Sequence, residues 1–257
     1  MFVDKLKLFH GDDIVISKHI KIHQPTLEEI CEYGEEKYFS LVHTLTAVGA
    51  DYKWQLDDIG IDYTKISDFE LFSHMLIKDL TKDDTCILFG DLDFSKFEIR
   101  YNELNNNFCL VQIYGLDFVP EKVYIDDDTI IIDEFTYLLI IEYLRTMHYL
   151  KRNNEIPGNE TTKRILIEEA KEQYELNKNK PFESKLFNYI STMVNSEGFK
   201  YNYDDVWKLK IYQFYDSIKR ITKIKETTLL LQSGYSGFGV DLKKISKKEL
   251  DWMGDLD

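Results

Sequence analysis

The side chains suited to chemistry are few, and most stand at the wrong spacing. The six histidines, at positions 10, 19, 23, 43, 74 and 148, make no HExxH or HxH pattern. His19 and His23 are four residues apart in a stretch that reads as strand, where that spacing separates them by roughly 13 Å, too far for one metal ion. Asp126, Asp127, Asp128 and Asp133 gather carboxylates of the kind that hold Mg²⁺ or Ca²⁺. An EF-hand loop, however, needs alternating ligands, a mid-loop Gly and a closing Glu, all absent here. A solvated hairpin turn, a position Asp fills readily, accounts for the cluster. Glu98-Ile99-Arg100, after Asp83, Asp84 and Asp91, is a poor imitation of the acid and E-x-K of a metal-dependent nuclease. The glycine-rich loop at 234–239 lacks the Lys-Ser/Thr of a phosphate loop and reads as a connector. No serine sits in a GxSxG elbow. The expectation is a protein without catalytic residues, cofactor or metal, and not an enzyme.

Composition narrows the class. The 257 residues are 44% hydrophobic and 30% charged, an ordinary globular balance, with 17 Tyr and 16 Phe but only 4 Pro. Tyrosine tolerates an interface because its ring is apolar and its hydroxyl wet. Cys31, Cys86 and Cys109 are odd in number and widely spaced, which excludes a disulfide framework or zinc ribbon. Each is expected to be a small buried apolar residue. Charges interrupt every apolar run of residues 1–13, so no signal peptide is expected, and no run is long enough to span a bilayer. The host cytoplasm is the expected location. Residues 1–134 hold 28 acids against 12 Lys/Arg, and residues 135–257 hold 18 against 20, within a net charge of −14. Phosphate recognition needs clustered cations, so direct nucleic-acid or membrane binding is not expected, whereas a basic or amphipathic protein partner is.

Patterning predicts an α+β fold, predominantly helical, with a short N-terminal β segment and a small antiparallel sheet around residues 85–132. Residues 1–134 form an acidic α+β part and residues 135–257 a helical part, or the two make one continuous domain. Residues 6–9, 14–16 and 20–22 read as strands. Thr26 with Glu29 and Ser67 with Glu70 have capping-box spacing and open helices, the first placing Leu27, Ile30, Cys31, Tyr38, Leu41 and Leu45 on one face and the second reaching Leu80. Strands are predicted at 86–89, 97–101, 108–114, 123–125 and 130–132, with turns at 90–91, 105–107 and 126–128. Helices follow at 135–149, expected to be central and buried, at 162–176, from Pro181 through Val194, and at 246–249 with Trp252 in the last. Trp207, Ile211, Phe214, Ile218 and Ile221 recur at helical spacing as one apolar stripe. Such stripes usually pack inward. The alternative is that Trp207, Ile211, Phe214 and Ile218, with Tyr212 and Tyr215 and the nearby Tyr201 and Tyr203, form a docking surface for a partner helix or another copy.

Three stretches together resemble a known group. They are 20–30 with Tyr33 to Phe39; Ile156-Pro-Gly-Asn-Glu160; and Phe199 to Trp207 running on to Ile221, then Val240 to Ile245. This pattern resembles tail-module proteins of long-tailed phages of Gram-positive bacteria, in the manner of tail assembly chaperones, over about two-thirds of the chain. The chain is longer than the simplest of these and adds the 85–132 β segment; no functional residue carries over. The resemblance implies a virion-assembly role, shielding a helical tape-measure protein in an apolar groove while negative charge keeps the complex soluble. An acidic inhibitor that mimics phosphates toward a host nucleic-acid-binding or defence protein is the alternative from another class, and a structural virion component is a third. An ordered stripe of acids would mark the mimic; acids scattered around an apolar groove would mark the chaperone.

Overall fold

The computed structural model describes residues 3–102, 107–236 and 239–256. The chain opens on helix α1 (Lys5–His10), not the strand that alternation suggested. Asp4 accepts hydrogen bonds from the backbone of Leu6 and Lys7, and Gly11 closes the helix at φ 91°, a left-handed position where a side chain would strain. Only Leu8 is buried, so six residues carried too little pattern to separate the two periods. Strands β1 (Ile14–Val15) and β2 (Lys21–Ile22) then pair antiparallel.

The capping box of Thr26 and Glu29 is formed and starts α2 (Leu27–Tyr33). The predicted single helix is two. Gly34, at φ 100°, turns the chain before α3 (Glu35–Thr46), and Cys31 faces solvent. Beyond α4 (Lys53–Asp58), the Ser67 box opens α5 (Asp68–Leu71), which widens into a π-helical turn over Phe72–Leu76 and stops short of Leu80. Residues 86–89 belong to helix α6 (Lys82–Phe89) rather than a strand, and Cys86 is exposed on it.

The sheet has order β3-β4-β5, all antiparallel: β3 (Glu98–Asn102), β4 (Asn107–Ile113) and β5 (Thr129–Ile132). Ile99, Leu110 and Ile132 stand in one cross-strand row on the face that joins the main core. Cys109, Val111 and Ile131 point the other way and are covered by Val119 and Val123 of the connecting loop. That loop makes no strand at 123–125, and the turn expected at 105–107 lies partly outside the described residues; Asn107 is already in β4. The turn at 126–128 is present, with Asp126 Oδ1 accepting from Asp128 N and Thr129 Oγ1.

Helix α7 (Glu134–Met147) is central, with Tyr137, Ile140, Ile141, Leu144 and Met147 buried, though Phe135 and Leu138 are exposed. α8 (Glu160–Asn177) buries no residue fully. It lies against α4 through Trp54 and Tyr174 (4.9 Å) and the ion pair Lys171–Asp58, and Lys163 pairs with Asp62 in the loop after α4 (2.7 Å). α9 (Lys185–Val194), α10 (Ile211–Tyr235) and α11 (Lys247–Leu250) complete the chain, with Trp252 beyond α11 rather than in it. One apolar cluster runs from Leu8 to Phe214 and draws on residues either side of 134. The fold is α+β and mostly helical.

Candidate protein-docking surface

α10 is the spine of the region, and its start is stitched to the N-terminal half. Leu27 donates its backbone N–H to Leu209 O (3.0 Å), and Ile211 donates to Pro25 O (2.9 Å). Trp207 falls in a 3₁₀ turn (Val206–Lys208) ahead of the helix, so the stripe bends there and is not one helical face. Ile211, Tyr212 and Phe214 are buried in the main core. Trp207, Tyr215 and Ile218 pack against that core half-buried, as does Ile221. Tyr201 and Tyr203 stand exposed before the turn. Three of the six candidate side chains are thus covered by the chain itself, and Tyr215 and Ile218 are left flanking α10 on two recesses.

The first recess, about 420 Å³, lies between α3, α9 and the end of α7. Phe39, Val42 and Leu186 give it apolar walls, Tyr215 lines it from α10, and Leu150, Phe182 and Tyr189 form an exposed rim. Its geometry is fixed from below. Glu35 of α3 caps α9, accepting from Leu186 N (2.9 Å), Lys185 N (3.1 Å) and the Ser184 hydroxyl. A carboxylate facing unpaired N–H groups at a helix start is held by charge-assisted bonds and by the helix dipole. Tyr38 donates its hydroxyl to His148 Nε2 (2.6 Å), while His148 Nδ1–H donates to Leu144 O (2.7 Å). Burial holds the His148 imidazole down to about 4, against a weaker opposing pull from Leu144 O, so the ring is neutral and this pair is a hydrogen bond without charge.

The end of α7 is fastened to α10 beside it. Tyr149 sits in the left-handed region at φ 54°, donates to Asp216 Oδ1 (2.9 Å) and stacks on Tyr212 (5.4 Å, 12°). Burial, then Tyr212 and Asp216, push its phenol far above the usual range. The Lys219 ammonium lies 4.3 Å over the same ring.

The second recess, about 620 Å³, runs along the later half of α10 under the C-terminal segment. Ile218 and Leu230 line it, and the segment is tied across by Arg220 Nη1 donating to Trp252 O (2.7 Å) and Thr227 Oγ1 donating to Glu249 O (3.0 Å). The chain's own tail therefore forms one wall of this recess.

Sequence reasoning missed a further set of exposed side chains. Tyr101 and Phe108, directly paired across β3 and β4 (5.4 Å), are each half-exposed, and Leu116, Phe118 and Tyr124 are exposed in the loop that follows. For Tyr101 and Phe108 the signal was an aromatic side chain at a strand position on each side of the predicted 105–107 turn. Of the histidines, His23 lies between Asp13 (2.8 Å) and Glu29 (3.1 Å). Among the described residues, no group of three or more His, Cys, Asp or Glu is placed to hold a metal ion, and no helix is long and apolar enough to cross a membrane.

No curated protein and no solved structure matches the chain. Residues 177–257, which hold α9, α10 and the C-terminal segment, match the family model described as the second domain of YomV, a Bacillus phage-region protein, and so are similar to a phage-associated family.

Proposed function

We propose that this is a non-enzymatic virion-assembly protein, acting in the host cytoplasm as a tail assembly chaperone that holds a helical segment of a tape-measure protein in the α3–α9–α10 recess. The observation that carries the reading is a coincidence of place. The recess between α3, α9 and α10 is built in part from the segment similar to a phage-associated family, and three large side chains stand exposed at its mouth. Amphipathic helices dock by placing apolar anchors into such grooves.

The acids favour this role over phosphate mimicry. Many are consumed locally rather than displayed in a row. Asp4, Glu29, Glu70, Asp84, Asp93 and Asp133 serve helix starts. Others sit in pairs, as in the two bonds of 2.9 Å between Arg152 and Asp68.

The test is co-expression with the tape-measure protein of the same genome. The wild-type chain is expected to co-purify with it. Tyr189→Asp and Phe182→Asp, on the exposed rim, are expected to abolish this while leaving the melting temperature within about 2 °C, as surface changes usually do. Co-purification that survives both changes sinks the assignment to this recess, and none with wild type sinks the role.

A further inference from the structure

A separate recess of about 450 Å³ lies between the β1–β2 turn, α6 and the end of β4. In a chain of net charge −14 its walls carry Lys18, His19, Lys82 and Lys96. At its inner wall is Gln112, 7% exposed, whose Oε1 has no hydrogen-bond partner. Gln112 lies on the core side of the sheet, two residues beyond Leu110 and paired with Ile130. An apolar residue there would cost nothing in desolvation; a glutamine is a penalty unless something donates to its oxygen.

The cations are available to a ligand. Lys82 lies 2.6 Å from Asp91 and Lys96 2.6 Å from Asp117, but those carboxylates are 85% and 87% exposed. Lys18 lies 3.5 Å from the equally open Asp127. Pairs this exposed contribute little and exchange partners at small cost. Bonding to Asp117, above all, keeps the Lys96 ammonium charged, its pKa raised despite the nearby Lys82, so both side chains present full positive charge. Asp93, the other acid in the wall, accepts through Oδ1 from Ser95 N (3.1 Å) and the Ser95 hydroxyl (2.6 Å), while its Oδ2 stands 4.0 Å from the Lys96 ammonium, the limit of an ion pair. Tyr114 stacks on His19 (4.7 Å), and His19 Nε2–H donates to Asp127 O (2.8 Å), which fixes a flat wall at the mouth.

We infer that this recess binds a small phosphomonoester, its phosphate between Lys82 and Lys96, a hydroxyl or amino group of its body donating to Gln112 Oε1, and its ring against Tyr114. This stands apart from the docking recess and from the proposed role.

The test follows the Gln112 side-chain amide of the full chain by NMR during titration with ribose 5-phosphate, AMP and inorganic phosphate. One of the two esters is expected to shift that amide by about 10 mM, with phosphate alone much weaker. Lys82→Ala with Lys96→Ala is expected to weaken binding at least about tenfold, the scale of one charge-assisted bond. Gln112→Leu is expected to raise the melting temperature of the free protein and remove the rise that the ester gives, which separates lost binding from lost folding. The inference is overturned if neither ester moves the amide. It is equally overturned if phosphate binds as well as the esters, an adventitious ion only, or if binding survives loss of both lysines.

Discussion

Replacing Phe214 by alanine separates a stripe that stabilises the fold from one that recruits a partner. Phe214 is 0% exposed, meets Phe199 edge-on at 6.5 Å and sits where α10 enters the main core. Truncating a buried phenylalanine removes its transfer free energy and leaves a cavity, together about 3–5 kcal/mol. At roughly 2–4 °C per kcal/mol for chains of this size, the melting temperature should fall by about 6–20 °C. Set against a typical total of about 5–15 kcal/mol, the variant should remain folded at room temperature yet show a lower urea midpoint at unchanged slope. Calorimetry and urea titration measure both. Phe187→Ala on α9, at a side chain 68% exposed, is the control and should shift stability by no more than about 0.5 kcal/mol. A melting temperature unchanged in Phe214→Ala, with partner binding lost, would refute the placement of this residue in the core and return the stripe to the docking surface.

Three other outcomes are expected. His148, buried and held down to about 4 from an ordinary 6.5, binds its proton more readily unfolded; its contribution is complete above pH 6.5 and is lost as pH falls toward 4. The loss is about 3 kcal/mol at most, from 1.36 kcal/mol per unit, and a urea series from pH 7 to 4.5 should show it in wild type but not in His148→Gln. Glu35→Ala leaves the start of α9 without its acceptor and should destabilise by about 1–2 kcal/mol in urea; an unchanged midpoint would count against the cap. Backbone amides of α8, which buries nothing fully, should exchange with deuterium well before those of α7, and equal protection would contradict its peripheral place.

Where the sequence was legible, local chemistry and tertiary packing agreed. The boxes at Thr26 and Ser67 opened helices because their side chains and backbone can satisfy each other without distant help. β3, β4 and α7 carried patterns long enough to show one period. Failures came from short segments. Residues 6–9 alternate like a strand, but Asp4 and Gly11 supplied caps for one helical turn and a half. Residues 86–89 look like a buried strand, while Thr81 followed by Asp84, with the carboxylate accepting from Thr81 N at 3.1 Å, was the helix signal overlooked. The α10 stripe was read correctly as apolar, but spacing cannot tell a face covered by the same chain from one left for another. The α3–α9–α10 recess was not legible at all, because Glu35 and Leu186 meet only after some 150 residues of chain have folded between them.

The most direct test of the docking claim is hydrogen exchange on the chain alone and in complex with the tape-measure protein. Binding in the recess predicts new protection in α3 and α9, centred on Phe39, Val42 and Tyr189, with the aromatic edge of β3 and β4 unchanged. Protection confined to Tyr101, Phe108 and the loop after β4, with α3 and α9 unaltered, would contradict it and move the docking surface to the sheet.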